Sequence, residues 1–175
     1  MFTLNYYLRQ ILIIFFSLSI VSCGFQLRGE GSKFLLPPHW KKLALRTSNP
    51  RSEFVLHVTT AFQFAGVEWN PVSSAHYILT LKPAQLNQHF QSLNSRANPS
   101  EIELTLTSYI SVTRKDGIEV LPETKVFVRR IINNDPNNAT GVNEQINLTA
   151  SEMRRQLAEN ILFKVSTLAN SEKIE

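Results

Sequence analysis

The sequence predicts an α+β domain in which two helices pack on one face of a four-stranded, mostly antiparallel sheet. Two segments carry apolar residues at helical spacing, and other segments alternate apolar and polar residues with a period of two. An Asp-Gly pair between the last two alternating segments is typical of a tight hairpin. Placing both helices on one face of the sheet is the simplest way to bury both apolar stripes.

The first 22 residues have the layout of a signal peptide. Arg9 is the first charge, and the stretch from Ile11 to Ile20 is apolar apart from two serines. A membrane-spanning helix needs about 20 apolar residues, so a membrane span is the weaker alternative. We therefore expect residues 1–22 to be removed on export.

Cys23 is the only cysteine of the chain and follows Ile20, Val21 and Ser22. This order resembles a bacterial lipobox, in which the cysteine is acylated and begins the mature chain. A disulfide within the chain is excluded, because Cys23 has no second cysteine to pair with. A buried free thiol is the alternative. Several acyl chains would form a stable anchor, and Gly24, where an aspartate would indicate the inner membrane, favours the outer membrane.

The rest of the chain has a size typical of one domain. Two glycines, a Pro37-Pro38 pair and the lack of a sustained period predict a lipidated tether over residues 23–38. The single domain then spans residues 39–175. Its mild basic excess is too small to indicate nucleic acid, and fits either an acidic partner such as a phosphorylated lipid or ordinary surface lysines.

The domain is expected to begin with a short strand over residues 42–46 and a helix. Asn49 can cap this helix, and Pro50 suits its first position. An N–H at that position has no partner within the helix, so the lack of one in proline costs nothing. Gly66 is a natural end for the helix. The apolar stripe of the helix consists of Phe54, Val58, Ala61, Phe62 and Ala65.

Three strands follow this helix. Residues 77–81 alternate, and Pro83 beyond them indicates an edge strand or a bulge, because proline cannot donate a ladder hydrogen bond. The clearest strand covers residues 101–113. It should have one buried and one polar face, with Ser108 as the one polar residue on the buried face.

The last strand should return antiparallel through residues 120–132, with a bend at Pro122. A loop over residues 133–138 leads to the final helix. One face of this helix is apolar. The residues of that face are Ala150, Met153, Leu157, Ile161, Val165 and Leu168.

The stretch CGFQLRG from Cys23 to Gly29, together with this element order, resembles the LptE family of lipopolysaccharide-assembly lipoproteins. AGVE from Ala65 and VFVRR from Val126, running into NDP, support the likeness. The resemblance implies a plug inside the β-barrel protein LptD, one to one, that helps the barrel to assemble and contacts lipopolysaccharide during export. It implies a lipid-anchored location at the outer membrane, on the periplasmic side or inside the barrel lumen.

Lipopolysaccharide would be recognised by cations that bind its phosphates, ideally by arginine. Alternation on the last strand puts Lys125 and Arg129 on the uncovered face of the sheet and Arg130 on the face of the core residues Val126 and Val128. The resemblance favours Arg96 and Arg130 by position. The candidates are therefore Arg96, Lys125, Arg129 and Arg130. Alternatively, each is a solubilising charge paired with Glu101, Glu103 or Glu123.

Candidate contacts to the barrel are Tyr109, Phe127, Asp135 and Pro136, because exposed aromatic residues and loop tips often serve interfaces. Packing at the edge of the sheet is the alternative for Phe127.

An enzyme is not expected. The four histidines lack metal-ligand spacing, and the chain has no Gly-rich phosphate loop or nucleophile elbow. We therefore expect no cofactor beyond the covalent lipid on Cys23. The main alternative is a free-standing periplasmic lipoprotein that binds lipid or envelope without a barrel partner, and a hydrolase is a remote third.

Overall fold

The structure is a computed structural model that describes residues 36–93 and 99–171. Within these ranges the fold is α+β, as the sequence predicts, but the sheet has six strands and is mixed, so the prediction of four mostly antiparallel strands is wrong. A 3-10 turn over Pro38–Trp40 comes first. The elements that follow are β1 Lys42–Thr47, α1 Glu53–Phe64, β2 Glu68–Trp69, β3 Tyr77–Leu81, β4 Gln85–Leu93, β5 Pro99–Arg114, β6 Glu119–Asn133 and α2 Ala139–Ser171.

The long strand β5 organises the sheet. Strands β3 and β4 lie end to end along one edge of β5, and β6 pairs with its other edge, all antiparallel. Strand β1 runs parallel to both β3 and the two-residue β2. These two parallel pairs make the sheet mixed. In the described residues β6 pairs with β5 alone and is therefore an edge strand.

The break between β3 and β4 explains the one polar residue on the buried face of β5. The hydroxyl of Ser108 is fully buried and donates to the Lys82 carbonyl at 2.7 Å. The Lys82 amide in turn donates to the Tyr109 carbonyl at 2.9 Å. Pro83 follows, and the ladder resumes at Gln85. Ser108 thus satisfies a carbonyl that the interrupted strand would otherwise leave without a partner.

The helix α1 begins later than expected. Its N-cap is Ser52, whose hydroxyl accepts from the Val55 amide at 3.3 Å, so the prediction of Asn49 as cap and Pro50 as first helical residue is wrong. The Ser52 amide donates to the Asn49 carbonyl at 3.3 Å. This closes a turn in which proline suits the second position equally well.

The end of α1 at Gly66 is confirmed. Gly66 has a φ of 86°, in the left-handed region that favours glycine. Its amide donates to the Gln63 carbonyl at 2.9 Å, and the Val67 amide donates to the Phe62 carbonyl at 3.0 Å. These two bonds form a Schellman motif, and the buried Val67 supplies the apolar contact that accompanies it.

The bend at Pro122 and the hairpin before it are also confirmed. Ile110 pairs with Thr124 and Val112 with Leu121, so two β6 residues, including Pro122, oppose one residue of β5. This arrangement is a β-bulge. Gly117 closes the hairpin with a φ of 90°.

Both helices cover the same face of the sheet and contact each other. The Glu53 carboxylate of α1 accepts from the Ser151 hydroxyl of α2 and from Arg154 at 2.9 Å. The hydrogen bond from Ser151, assisted by the charge of Arg154, lowers the pKa of Glu53. The largest fully buried side chains include Trp40, Phe62, Leu104, Leu106, Leu157 and Ile161.

Candidate docking and lipid-binding face

The candidate site is the side of β5 and β6 that faces away from both helices, here called the open face. Cross-strand register fixes its members, because alternate residues of a strand point to opposite sides of the sheet. The paired residues on this face are Glu103 with Ile131, Thr105 with Arg129, Thr107 with Phe127, and Tyr109 with Lys125.

Apolar side chains are exposed on the open face. Tyr109 is 38%, Phe127 49% and Ile131 58% exposed, whereas Val126 and Val128 on the other side of β6 are buried. The predicted orientation of β6 is thus confirmed. Ile131 was not among the sequence-based candidates. It follows Arg129 by two residues and Phe127 by four, so alternation along the strand places it on the same face.

The cations of the open face differ in their surroundings. The Lys125 ammonium lies 5.7 Å from the centroid of the Phe127 ring and has no ion pair within the described residues. Arg129 pairs with Glu103, with 3.3 Å between Nε and Oε1. The Glu103 side chain is only 14% exposed. The paired-charge alternative therefore describes Arg129, while Lys125 stays available to an anion.

Arg130 lies on the opposite side of β6 from Lys125 and Arg129. It is exposed, and its guanidinium donates to the Gln156 side chain of α2 and, at 3.2 Å, to the Arg129 carbonyl. The structure thus brings Lys125 and Arg129 onto one face and puts Arg130 round the edge of the same strand. All three belong to the edge strand, so one ligand lying along that edge could meet cations from both faces.

Lys82 is a further cation beside the open face that the sequence-based candidates omit. Its ammonium lies 5.7 Å from the centroid of the Tyr109 ring and 2.6 Å from the Glu123 carboxylate. The available signal was its spacing, because Lys82 directly follows β3 and has the same parity as Ile78 and Thr80, which alternate with the buried residues of that strand.

The loop from β6 to α2 contains Asp135 and Pro136. One carboxylate oxygen of Asp135 accepts from the Asn137 amide at 2.9 Å, and its carbonyl accepts from the Asn138 amide at 3.0 Å. Asn138 then caps α2 by accepting from the Gly141 amide at 3.0 Å. Asp135 therefore orders the start of the helix, and Pro136 stays exposed.

Two of the predicted functional residues, Cys23 and Arg96, lie outside the described residues. Among the residues that are described, no group of three or more histidine, cysteine, aspartate or glutamate side chains could hold a metal ion. In the same part of the chain, neither helix is long and apolar enough to cross a membrane.

The layers and topology are those of small bacterial lipoprotein domains. The crystal structure of rare lipoprotein B from Shewanella oneidensis is similar with a TM-score of 0.65 and 28% identity, over 74% of this chain and 98% of that one. Lipoprotein B from Nitrosomonas europaea has a TM-score of 0.68 at 16% identity, over 84% and 93% of the two chains. A minor lipoprotein from Acinetobacter baumannii has a TM-score of 0.60 at 20% identity, over 73% and 92%. The last two likenesses show the fold alone.

The family model for LptE, described as lipopolysaccharide-assembly, matches residues 40–165. The chain therefore belongs to the LptE family, as the sequence resemblance indicates. Membership places it among the lipoproteins of lipopolysaccharide assembly. The comparison with curated proteins gives no match.

Proposed function

We propose that this protein is a non-catalytic outer-membrane lipoprotein that plugs the LptD β-barrel, helps it to assemble and contacts lipopolysaccharide during export. The observation that carries the proposal is membership of the LptE family combined with an open sheet face that exposes apolar side chains. Residues 1–22 act as signal peptide, residues 23–38 as tether, and acylation of Cys23 anchors the chain.

The barrel partner binds the open face. Tyr109, Phe127 and Ile131 are exposed side by side on two paired strands, where burial against a partner would remove their apolar surface from water. Tyrosine and phenylalanine are enriched at protein interfaces relative to the rest of the surface. Asp135 and Pro136, in the loop at the end of β6, extend this contact.

Lipopolysaccharide binds along the edge strand β6. Lys125, Arg129 and Arg130 offer cations within one short stretch, and a charged donor to a phosphate oxygen forms one of the stronger hydrogen bonds in proteins. On binding, Arg129 would break its ion pair with Glu103 and pair with a phosphate instead. Arg130 would break its hydrogen bond to Gln156. Arg96 belongs to the same proposed set.

Changing Lys125, Arg129 and Arg130 together to alanine should weaken lipopolysaccharide binding by the purified full chain about tenfold or more, because three charge-assisted contacts are lost. Binding is measured in a neutral detergent with fluorescently labelled lipopolysaccharide. The double variant Lys125→Ala/Arg129→Ala and the single variant Arg130→Ala separate the contributions of the two faces.

Lys164→Ala is the matched control for these variants. Lys164 is an exposed lysine of α2 and is not a member of the proposed set, so its loss should leave binding unchanged. Wild-type affinity in the triple variant would remove these three residues from the site, and an equal loss in Lys164→Ala would show nothing beyond a general charge effect.

A further inference from the structure

A cleft lies at the end of the sheet where β5 turns into β6, about 30 Å along the strand from the pair formed by Thr105 and Arg129. It is distinct from the open face. Its volume is about 450 Å³, and its lining residues are His39, His76, Tyr77, Arg114, Lys115 and Asp116. Cationic and imidazole groups therefore outnumber the single carboxylate.

The wall of the cleft is fixed by backbone bonds and by aromatic stacking. The Lys115 amide donates to the His76 carbonyl at 2.9 Å, which ties the hairpin to the start of β3. Tyr77 stacks on Trp40 with ring centroids 3.9 Å apart and an angle of 12° between the planes. Both rings are buried. The cleft is thus held in shape before any ligand arrives.

The one acidic group of the cleft is already neutralised. The Arg114 guanidinium donates to both oxygens of the Asp116 carboxylate, at 3.1 and 2.9 Å from Nε. The Ile118 amide donates to the same carboxylate at 3.2 Å. Lys115 is exposed and has no ion pair within the described residues. An anion entering the cleft would therefore meet a cation that no described carboxylate occupies.

His76 has a defined orientation. Its Nδ1 lies 3.1 Å from the His39 carbonyl oxygen, and because a carbonyl can only accept, Nδ1 carries the hydrogen. The other ring nitrogen, Nε2, is then available to hydrogen-bond a phosphate. This hydrogen bond holds the ring in place at the cleft.

We propose that this cleft binds a phosphate group, held by the Lys115 ammonium and the His76 ring, and that the phosphate belongs to a lipid headgroup. His39, Tyr77, Arg114 and Asp116 are the other titratable groups that face it. Most of the exposed wall is carbon, which suits the apolar part of an amphiphile beside its phosphate.

The proposed membrane anchor favours a membrane lipid as the source of the phosphate. Acylation of Cys23 would hold the chain at a membrane, where lipid headgroups are concentrated. The choice of a lipid headgroup rests on the proposed acylation of Cys23, whereas phosphate binding itself does not.

Two soluble probes, inorganic phosphate and hexyl phosphate, test the proposal by calorimetric titration of the full chain in a neutral detergent at pH 6. Hexyl phosphate should bind about fivefold or more tightly than phosphate, since burying even a few methylene groups produces such a gain. Equal affinities would overturn the lipid source and leave a site for free phosphate. The absence of saturable binding for both probes would overturn the site.

Variants connect binding to the cleft. Lys115→Ala/His76→Gln should bind hexyl phosphate about tenfold or more weakly, because both proposed contacts to the phosphate are lost. Lys115→Ala alone, on an exposed turn, should retain the fold and still bind several times more weakly than wild type. Lys164→Ala, whose side chain does not line the cleft, should bind as wild type does. Unchanged binding in the Lys115 variants, or an equal loss in Lys164→Ala, would contradict the proposal whatever the result for the LptD partner.

Discussion

Replacing Leu157 by alanine is expected to lower the free energy of unfolding by about 3–5 kcal/mol. Leu157 is fully buried in α2, among the residues that join this helix to α1 and the sheet. Truncation removes apolar burial and leaves a cavity that a close-packed core fills only in part. The change is measured by urea unfolding of the full chain in a neutral detergent, followed by circular dichroism.

Leu148→Ala is the matched control, with the same substitution in the same helix at a side chain that is 61% exposed. Its effect should stay below about 1 kcal/mol, because little apolar surface is buried there. Equal losses in the two variants would contradict the placement of α2 on the sheet.

Replacing Phe127 and Ile131 by aspartate is expected to reduce the recovery of the barrel partner about tenfold or more. Both side chains lie on the open face, and the change puts two charges where the proposed interface needs apolar surface. The variant chain, carrying a C-terminal tag, is purified from its native membrane in a mild detergent, and the co-eluting barrel is quantified against wild type.

Leu148→Asp provides the comparison, since Leu148 is 61% exposed but lies on α2. The melting temperatures of both variants should remain close to that of wild type, because exposed positions contribute little to the core. Undiminished barrel recovery from the Phe127 and Ile131 variant would remove the open face from the interface.

Much of the fold follows from local patterns in the sequence. Strand β5 was predictable because apolar and polar residues alternate along it, and the orientation of β6 followed from Val126 and Val128. Gly66 and the Asp-Gly pair marked an end and a turn whose backbone geometry favours glycine. In each case, the residues that predict the feature lie within one short segment of the sequence.

The missed strands contain no such signal. Within β4, Leu86 is only partly buried and Gln88, His89 and Phe90 are exposed, so no apolar period marks the segment. Its pairing depends on the neighbouring half of β5. Strand β2 has two residues and exists only as a parallel partner of β1. Tertiary pairing decides both strands, which is why the predicted four-stranded sheet was too small.

The sequence predicts on which face of the sheet the site residues lie, but not which other side chains they pair with. Alternation placed Lys125 and Arg129 on the open face, yet the ion pair of Arg129 with Glu103 and the reach of Arg130 to Gln156 depend on neighbouring elements. The cleft at the hairpin brings His39 and Lys115 together from distant parts of the sequence. No local sequence pattern indicates that these two residues lie close together.

The proposed barrel partnership is tested most directly by purification of the C-terminally tagged wild-type chain from its native membrane in a mild detergent, with quantification of every co-eluting protein. We expect one large β-barrel protein of the LptD type to co-elute, at one copy per copy of this chain. Recovery of the chain alone, under conditions that keep other outer-membrane complexes intact, would overturn this partnership and favour a free-standing lipoprotein.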